Sequence, residues 1–308
     1  MNVFVGIALQ LGATFAFTVM GALVRFIGDR VPLGEQVFTR SFFALVPLLL
    51  MIVWRGELST AFRMKNPLGH VWRGLTGVAA MFCMFSALAR LPLVDATAIG
   101  FATPLINVAL AAIFLGEKVH RFRWTAVAVG FFGVMVMLSP HLFGVEHEQA
   151  SALGALFAVT GAFLTAAAMT QVRHMSHTEN TASLVFSFSL IATLASLATI
   201  PWGWIKPSPA DSMILFLTGI VGGIAQIMIT ASYRHASAGT VAPFSYTAML
   251  WSIALGYFFF SEVPELVVLL GAALVIAAGL FVIYRERELG IDRTLEREAE
   301  TPPAGPPV

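Results

Sequence analysis

The stretch PLINVALAAIFLGE at residues 104–117 returns in diverged form as MLWSIALGYFFFSE at residues 249–262. Both segments are apolar and end in a glutamate, Glu117 and Glu262, and they align without a gap at an offset of 145 residues. A repeat of this length in so apolar a sequence predicts a duplicated bundle of membrane helices.

The composition is typical of an integral membrane protein. Hydrophobic residues make up 58% of the chain and charged residues 11%, whereas charged residues come to about a quarter of a soluble domain. The net charge is +1 and the basic residues lie between apolar runs, so we expect no nucleic-acid partner. The single cysteine, Cys83, excludes an intrachain disulfide. The first apolar run is longer than the core of a signal peptide and follows no positive residue, so we expect a retained helix.

The apolar runs predict the fold class. A membrane helix needs about 20 apolar residues to cross about 30 Å of hydrocarbon, and ten runs meet this test. We predict an all-α integral membrane protein with ten transmembrane helices in two inverted five-helix repeats. The first repeat covers residues 1–139 and the second 151–284, with an external linker at 140–150 and a disordered cytoplasmic tail at 285–308. The predicted spans are 4–26, 34–54, 71–89, 93–115, 123–139, 151–172, 180–201, 212–233, 239–260 and 265–284.

The basic residues predict the orientation of the spans. Of the 18 lysines and arginines, thirteen fall on the side of the termini, four fall on the opposite side, and Arg40 lies within span two. Because lysine and arginine are enriched in cytoplasmic loops, we predict that both termini are cytoplasmic. Each repeat has five spans, so the second is inverted and Glu117 and Glu262 fall on opposite faces, where we expect each to cap the next helix. We place this multi-pass protein in the cytoplasmic membrane of a bacterium.

Several short motifs stand in a fixed order along the chain. They are Glu35 with Arg40 early in span two, Arg73-Gly74 opening span three, residues 87–91, and Pro104 followed by LGE at 115–117. The set resembles the drug/metabolite transporter superfamily, specifically its EamA-type members, over about residues 5–284. The resemblance implies a basket in which spans one to four and six to nine surround a central cavity, with spans five and ten outside. Members export amino acids and drugs or import vitamins and other metabolites.

The second repeat departs from the family pattern at two positions. Met249 stands where the family often has proline, and Ser261 stands where it often has glycine. The departure bears on how symmetrically the two halves move, and the fold is unaffected.

Polar side chains inside spans are candidates for a binding site, because they are costly unless they face other helices or a water-filled cavity. Small polar residues recur at three- and four-residue spacing in spans one, four and eight, and aromatic residues near the two mid-span prolines suit stacking on a planar substrate. The same residues suit interhelical hydrogen bonds, core packing or lipid contact. The candidate substrate-binding residues are Gln10, Thr14, Phe101, Thr103, Asn107, Gln226, Thr230, Tyr233, Tyr246 and Trp251.

Four residues are candidates for gating or structural roles: Glu35, Arg40, Pro104 and Pro243. Each proline removes a backbone hydrogen bond inside a span, which predicts either a hinge or a static kink. Glu35 and Arg40 lie about 140° apart around a helix, so they do not pair with each other. Arg40 either meets a carboxylate or carbonyls on another span or snorkels to the external surface. The resemblance favours a structural or gating role near the external mouth.

The sequence lacks the motifs of rival function classes. All seven histidines lie at span ends or in loops, no HExxH or GxSxG motif occurs, and no carboxylate pair lies at mid-span. We therefore expect no catalytic site, no metal and no cofactor. The sequence has neither the charged rings nor the carbonyl filter that would indicate a channel. It also lacks the P-loop that would indicate ATP hydrolysis.

These observations predict a secondary transporter that works by alternating access. A non-transporting membrane scaffold is the alternative, followed by a membrane-embedded enzyme. No ionisable side chain lies at a midplane, so the substrate should be a small neutral, zwitterionic or planar metabolite, such as an amino acid, vitamin or drug-like compound. Import, export and exchange all stay open. The expected partners are this substrate and the lipid bilayer, and a homodimer would form through spans five and ten.

Overall fold

The structure, a computed structural model, describes residues 3–54, 56, 64–114, 121–143, 149–175, 178–179, 181–236 and 238–288. Within these ranges every regular element is a helix, and the helices follow the ten predicted spans. Spans one to five are Val3–Ile27, Leu33–Trp54, Pro67–Arg90, Leu93–Gly100 with Ala102–Phe114, and Arg121–Phe143. Spans six to ten are Gln149–Met175, Thr181–Leu197, Pro209–His235, Ala238–Ser245 with Thr247–Phe260, and Leu266–Glu288. Short 3-10 helices, Gly28–Arg30 and Ile200–Trp202, precede spans two and eight.

Eight helical segments in the described ranges are long and apolar enough to cross a membrane. The two remaining spans are apolar but fall below that length. Span seven has 17 residues, and span nine is divided into helices of 8 and 14 residues. The predicted all-α membrane fold with ten spans is confirmed.

The most extensive packing contacts between spans have counterparts displaced by five spans. Span one packs along span eight, and span six packs along span three. Span two packs on span eight, and span seven packs on span three. The second helix of span four packs on span six, and the second helix of span nine packs on span one. Spans two and seven pair with each other, as do spans five and ten. This pattern is that of two five-helix repeats related by a pseudo-twofold axis.

Spans five and ten cross at two glycines. A Cβ on Gly133 would lie 2.8 Å from the Gly271 carbonyl oxygen, and a Cβ on Gly271 would lie 2.7 Å from the Gly133 carbonyl oxygen. No side chain fits at either position, so the two backbones are in direct contact. Elsewhere these spans carry exposed apolar side chains such as Phe132 and Leu270, which suits contact with lipid.

Spans four and nine are each interrupted at a single residue. The interruptions fall at Phe101 and Tyr246, which are related by the same offset of 145 as the repeated stretches. Their backbone torsions are nearly equal, with φ −67° and ψ −8° at Phe101 and φ −70° and ψ −12° at Tyr246. Pro104 lies in the first turn of the helix after Phe101, where its missing N–H is tolerated. Pro243 lies before Tyr246, and its carbonyl oxygen accepts from the Tyr246 amide at 3.3 Å.

The last helix ends later than the apolar pattern indicates. It continues to Glu288, four residues into the segment predicted as a disordered tail, because Arg and Glu are good helix formers that can stay solvated beyond the membrane. Residues 140–143 and 149–150 of the predicted linker likewise continue the helices of spans five and six. The rest of the linker, residues 289–308 of the tail and Glu117 lie outside the described residues.

Candidate functional site

One end of the bundle is closed by a polar network centred on Glu262. We call it the Arg25 end; it is external in the predicted topology. Glu262 forms an ion pair with Arg25 of span one and accepts from the Leu93 amide at 2.8 Å. Arg25 also donates to the carbonyl oxygens of Leu88, at 3.2 Å, and Leu91. The network joins spans one, three, four and nine.

The position of Glu262 depends on the preceding serine. Ser261 has a left-handed backbone, with φ 55° and ψ 30°, and among the described residues it is the only one other than glycine with a positive φ. The Ser261 amide bonds to the Tyr257 carbonyl oxygen at 3.2 Å, which is the bond of the αL motif at helix ends. The Glu262 amide bonds to the Gly256 carbonyl oxygen at 3.0 Å. This reversal directs Glu262 back over the bundle. It therefore caps span four, and the expectation that it caps the next helix is wrong.

The two interruption residues meet each other. The rings of Phe101 and Tyr246 pack edge to face, with centroids 5.2 Å apart and planes at 67°. Because these residues are equivalent in the two repeats, their contact lies on the pseudo-twofold axis. The Tyr246 hydroxyl fits beside Gly279 of span ten, where a Cβ would lie only 1.7 Å from the Tyr246 Oη.

Polar side chains of span one hold the segments on both sides of the interruption in span nine. Gln10 Nε2 donates to Ser245 Oγ at 2.8 Å, and Gln10 Oε1 accepts from Ser232 Oγ of span eight at 3.0 Å. Thr14 Oγ1 lies 3.1 Å from Thr247 Oγ1. Gln10 and Thr14 are both buried. Both residues make interhelical hydrogen bonds, which the sequence analysis gave as the alternative to substrate binding. Their contact with substrate stays a prediction.

Three other candidates lie on spans four and nine. Trp251 packs edge to face on Phe15, with centroids 5.3 Å apart. Its Nε1 is buried, and no hydrogen-bond partner for it is found in the described part of the chain. Asn107 Oδ1 accepts from Thr170 Oγ1 of span six at 2.7 Å, and Thr103 is buried.

A separate small cavity lies between spans two, seven and eight. Its volume, about 10 Å³, is room for a single water molecule. Arg40, Ser189, Gly222 and Gln226 are among the residues that line it. Of the span-eight candidates whose side chains the structure describes, only Gln226 reaches this cavity.

Thr230 of span eight is not part of this lining. Thr230 Oγ1 donates to the carbonyl oxygen of Gln226 at 2.8 Å. The Tyr233 side chain lies outside the described part of the structure.

Arg40 realises neither of its two predicted alternatives. Its exposed fraction is 6%, so it does not snorkel to the surface. Its Nε is buried without a hydrogen-bond partner. Across the described ranges no carboxylate or carbonyl oxygen accepts a hydrogen bond from its guanidinium group. Glu35 is also buried, but its Oε2 accepts from the Ile205 amide at 3.3 Å.

The opposite end of the bundle, here called the His70 end, contains a polar cluster that the sequence analysis missed. His70 Nδ1 lies 2.6 Å from Ser187 Oγ, and His70 Nε2 lies 3.4 Å from Glu179 Oε2. Glu179 Oε1 accepts from the Asn66 amide at 2.7 Å. Burial opposes ionisation of Glu179, but the hydrogen bonds from Asn66 and His70 and the nearby His70 charge hold its pKa below the ordinary value.

The hydroxyl, imidazole and carboxylate of this cluster stand in the order found in hydrolase triads. Ser187, however, is only 1% exposed, and its Oγ also contacts the Leu184 carbonyl oxygen of its own helix at 3.2 Å. A substrate has no access to such a hydroxyl, so the cluster joins spans three and seven. Within the described ranges no group of three or more His, Cys, Asp or Glu residues is arranged to hold a metal ion.

Known proteins share this architecture. Residues 4–139 and 152–285 match the EamA-like transporter family. The chain is 29% identical over 283 residues to an S-adenosylmethionine uptake transporter of Rickettsia prowazekii (strain Madrid E), covering 92% of this chain and 94% of that protein. It is 30% identical over 274 residues to the pseudopaline exporter CntI of Pseudomonas aeruginosa (strain UCBPP-PA14), covering 89% and 94%. A solved crystal structure at 19% identity shares the fold with a TM-score of 0.64, covering 92% of this chain and 98% of that chain.

Proposed function

Because the chain belongs to the EamA-like transporter family, we propose that it carries a small neutral, zwitterionic or planar metabolite across the bacterial inner membrane by alternating access. The family and the transporter names of both relatives support a transporter of the drug/metabolite superfamily with a small-molecule substrate. They favour transport over the scaffold and enzyme alternatives.

The observation that carries this proposal is the contact between the two interrupted spans. Helices that break inside the membrane, at equivalent positions of two inverted repeats, are where secondary transporters form their substrate sites. Phe101 and Tyr246 supply aromatic faces at this point, and Trp251 supplies a buried N–H that lacks a partner among the described residues. We propose that these three rings stack on a planar part of the substrate.

Amide groups add hydrogen-bonding capacity to the proposed site. Asn107 and Gln226 are only partly buried, and Gln226 lines the cavity between spans two, seven and eight. Substrate class also draws support from a relative, since S-adenosylmethionine is an amino acid that carries a planar base. One relative is named for uptake and the other for export, so the family does not set the direction of transport.

The network at the Arg25 end suits the closed side of an alternating-access cycle. The Arg25–Glu262 ion pair joins spans one and nine, one from each repeat, and must break for that end to open. We propose that this end is external, with both termini cytoplasmic. A homodimer through spans five and ten would use the outward faces of these two helices. Their facing sides already pack on each other within one chain, at Gly133 and Gly271.

Counterflow into liposomes tests the proposal. Purified protein would be challenged with labelled amino acids, nucleobases, S-adenosylmethionine and a sugar phosphate. We expect exchange of at least one neutral, zwitterionic or planar compound and none of the sugar phosphate. Gln226→Ala should weaken the binding of the exchanged compound by about three- to tenfold, which is the effect of losing one uncharged hydrogen bond.

Ser139→Ala is the matched control, because Ser139 lies on outer span five and its only hydrogen-bond partner among the described residues is the Val136 carbonyl oxygen of its own helix. Folded protein that exchanges nothing would support the scaffold alternative. A polyanion as the best ligand, or unchanged affinity in both Gln226→Ala and Asn107→Ala, would contradict the proposed site.

A further inference from the structure

We propose that Arg40 binds a carboxylate group of the transported molecule in the cavity between spans two, seven and eight. This inference rests on the proposed transport function and adds one chemical group that the substrate must carry. Arg40 is thereby a substrate-binding residue as well as a candidate for gating.

Arg40 differs from the partly buried arginines of the bundle. Arg25 pairs with Glu262, Arg90 donates to the Ser86 carbonyl oxygen at 2.9 Å, and Arg73 lies over the Phe188 ring at 4.4 Å. Arg40 is 6% exposed and has no such partner in the ranges that the structure describes. A guanidinium group stays charged in proteins, and an unpaired charge inside a membrane protein costs several kcal/mol.

The acids closest to Arg40 along its neighbouring spans are already engaged. Glu35 on the same span accepts from the Ile205 amide. Asp211, at the start of span eight, is 3.4 Å from Arg30 and lies about 16 Å along the helix from Gly222. Span seven, Thr181–Leu197, contains no acidic residue. None of these described acids pairs with Arg40, so we assign the carboxylate to a bound molecule.

Arg40 lines this cavity together with residues of spans seven and eight. Gly222 of span eight lies beside the guanidinium group, because a Cβ built on it would lie 3.4 Å from Arg40 Nε, an ordinary contact distance, and 2.7 Å from Met20 Sδ. Gln226 lies one turn further along span eight, and Ser189 lines the cavity from span seven. Both offer hydrogen bonds to polar atoms next to a carboxylate.

The depth and size of the cavity fit a transport intermediate. Arg40 lies about 10 Å along span two from its first residue, at 1.5 Å per residue. The cavity has room for about one water molecule, so spans two, seven and eight must separate for a ligand to enter. This movement is the opening that alternating access requires.

The chemistry of the guanidinium group selects the ligand. It binds a carboxylate through two parallel hydrogen bonds. A single cation balances a single carboxylate, whereas a polyanion would leave negative charge uncompensated in the membrane. The ligand is therefore a monocarboxylate, such as the zwitterionic end of an amino acid.

Pairs of compounds that differ only in the carboxylate test this assignment. The probes are L-phenylalanine against phenethylamine and S-adenosylmethionine against its decarboxylated form, with binding measured on purified protein in lipid nanodiscs. We expect the carboxylated member of a bound pair to bind at least about tenfold more tightly. Arg40→Gln should abolish this preference, and Arg40→Lys should retain a weaker one, since lysine keeps the charge without the paired donors.

Arg90→Gln is the control, because it removes a partly buried guanidinium group that does not line the cavity, and it should keep the preference. Equal binding of both members by the wild-type protein, or a preference that survives in Arg40→Gln, overturns the assignment while leaving transport intact. If the wild-type protein neither binds nor exchanges any probe or any other metabolite of the counterflow panel, the proposed function fails and this inference fails with it. Should Arg40→Gln not fold, the wild-type preference and the Arg40→Lys variant decide the question.

Discussion

Phe101 and Tyr246 hold equivalent positions in the two repeats, and their rings meet edge to face with centroids 5.2 Å apart. Two equivalent residues can touch only on the axis that relates the repeats. An inverted-repeat transporter changes state by moving one half against the other around a fixed central site. We therefore expect this aromatic contact to persist in both states.

Gly279 is the position where this contact is most sensitive to substitution. An alanine Cβ there would lie 1.7 Å from Tyr246 Oη and 2.7 Å from Tyr246 Cζ. Gly279→Ala should destabilise the protein by about 1–3 kcal/mol through overpacking, measured by thermal unfolding in detergent. Tyr246→Phe in the same chain should restore part of the loss, because it removes the nearest atom. Gly100→Ala is the control, since its nearest neighbour, Met84 Cε, is 3.4 Å away; an equal loss there would contradict the packing argument.

Glu262 should matter more to stability than its acidic neighbour. Glu262→Ala removes the partner of Arg25 and the acceptor for the Leu93 amide. We expect a loss of about 2 kcal/mol, the contribution of hydrogen bonds to a charged group. Glu265→Ala removes an exposed acid three residues away and should leave the melting temperature unchanged. Equal melting temperatures for the two variants would show that the network does not hold the Arg25 end together.

The pH dependence of stability should report on Glu179. Its pKa in the folded protein lies below the ordinary value of 4.5, so its ionised form stabilises the fold at every pH above that value. This contribution is lost as the pH falls through the folded-state pKa. The stability difference between wild type and Glu179→Gln should therefore be largest above about pH 4.5 and shrink below it. Glu265→Gln is the exposed control, and a difference that grows on acidification would rule out this role.

Ser261 is a site for a stabilising substitution. Its left-handed backbone, with φ 55°, costs a residue other than glycine about 1–2 kcal/mol. Ser261→Gly should raise the unfolding free energy by about 1 kcal/mol. The same change at Ser252, inside the right-handed helix Thr247–Phe260, should lower it by about 0.5 kcal/mol. The reverse signs would contradict the assigned backbone conformation.

The orientation of the bundle is a prediction from the charge bias and can be read out by cysteine labelling. With Cys83 replaced first, an impermeant maleimide added to intact cells should modify a cysteine placed at Glu146. It should spare one placed at Ser59, which follows span two on the side predicted to be cytoplasmic. The opposite labelling pattern would reverse the topology.

The fold could be predicted from the sequence because membrane spans are encoded locally. Apolar length and the distribution of basic residues are enough to define ten spans and their inversion. One interruption also has a local signal, since Pro104 cannot donate to the carbonyl of Gly100 and the helix breaks beside it, at Phe101. The interruption at Tyr246 has no proline after it, because Met249 stands at the equivalent position.

The polar contacts could not be predicted from the sequence, because they join residues far apart in the chain. Ser187 lies 117 residues from His70, and Glu262 lies 237 residues from Arg25. The second pair did leave a signal, since the charge bias places both residues on the same face. Arg40 shows a further limit of prediction from the sequence. A buried arginine is expected to have a protein partner, and only the structure shows that a cavity lies beside the Arg40 side chain instead.

The direct backbone contact between Gly133 and Gly271 joins the last helix of one half to the last helix of the other. Helices that touch at the backbone cannot slide past each other without separating, because no side chain is there to rearrange. In the proposed alternating-access cycle, we expect this crossing to act as the pivot. Rotation of the two halves about it would widen the opening at one membrane face while narrowing the opening at the other. A bulkier residue at position 133 or 271 would therefore disturb both openings at once, although neither glycine touches the cargo.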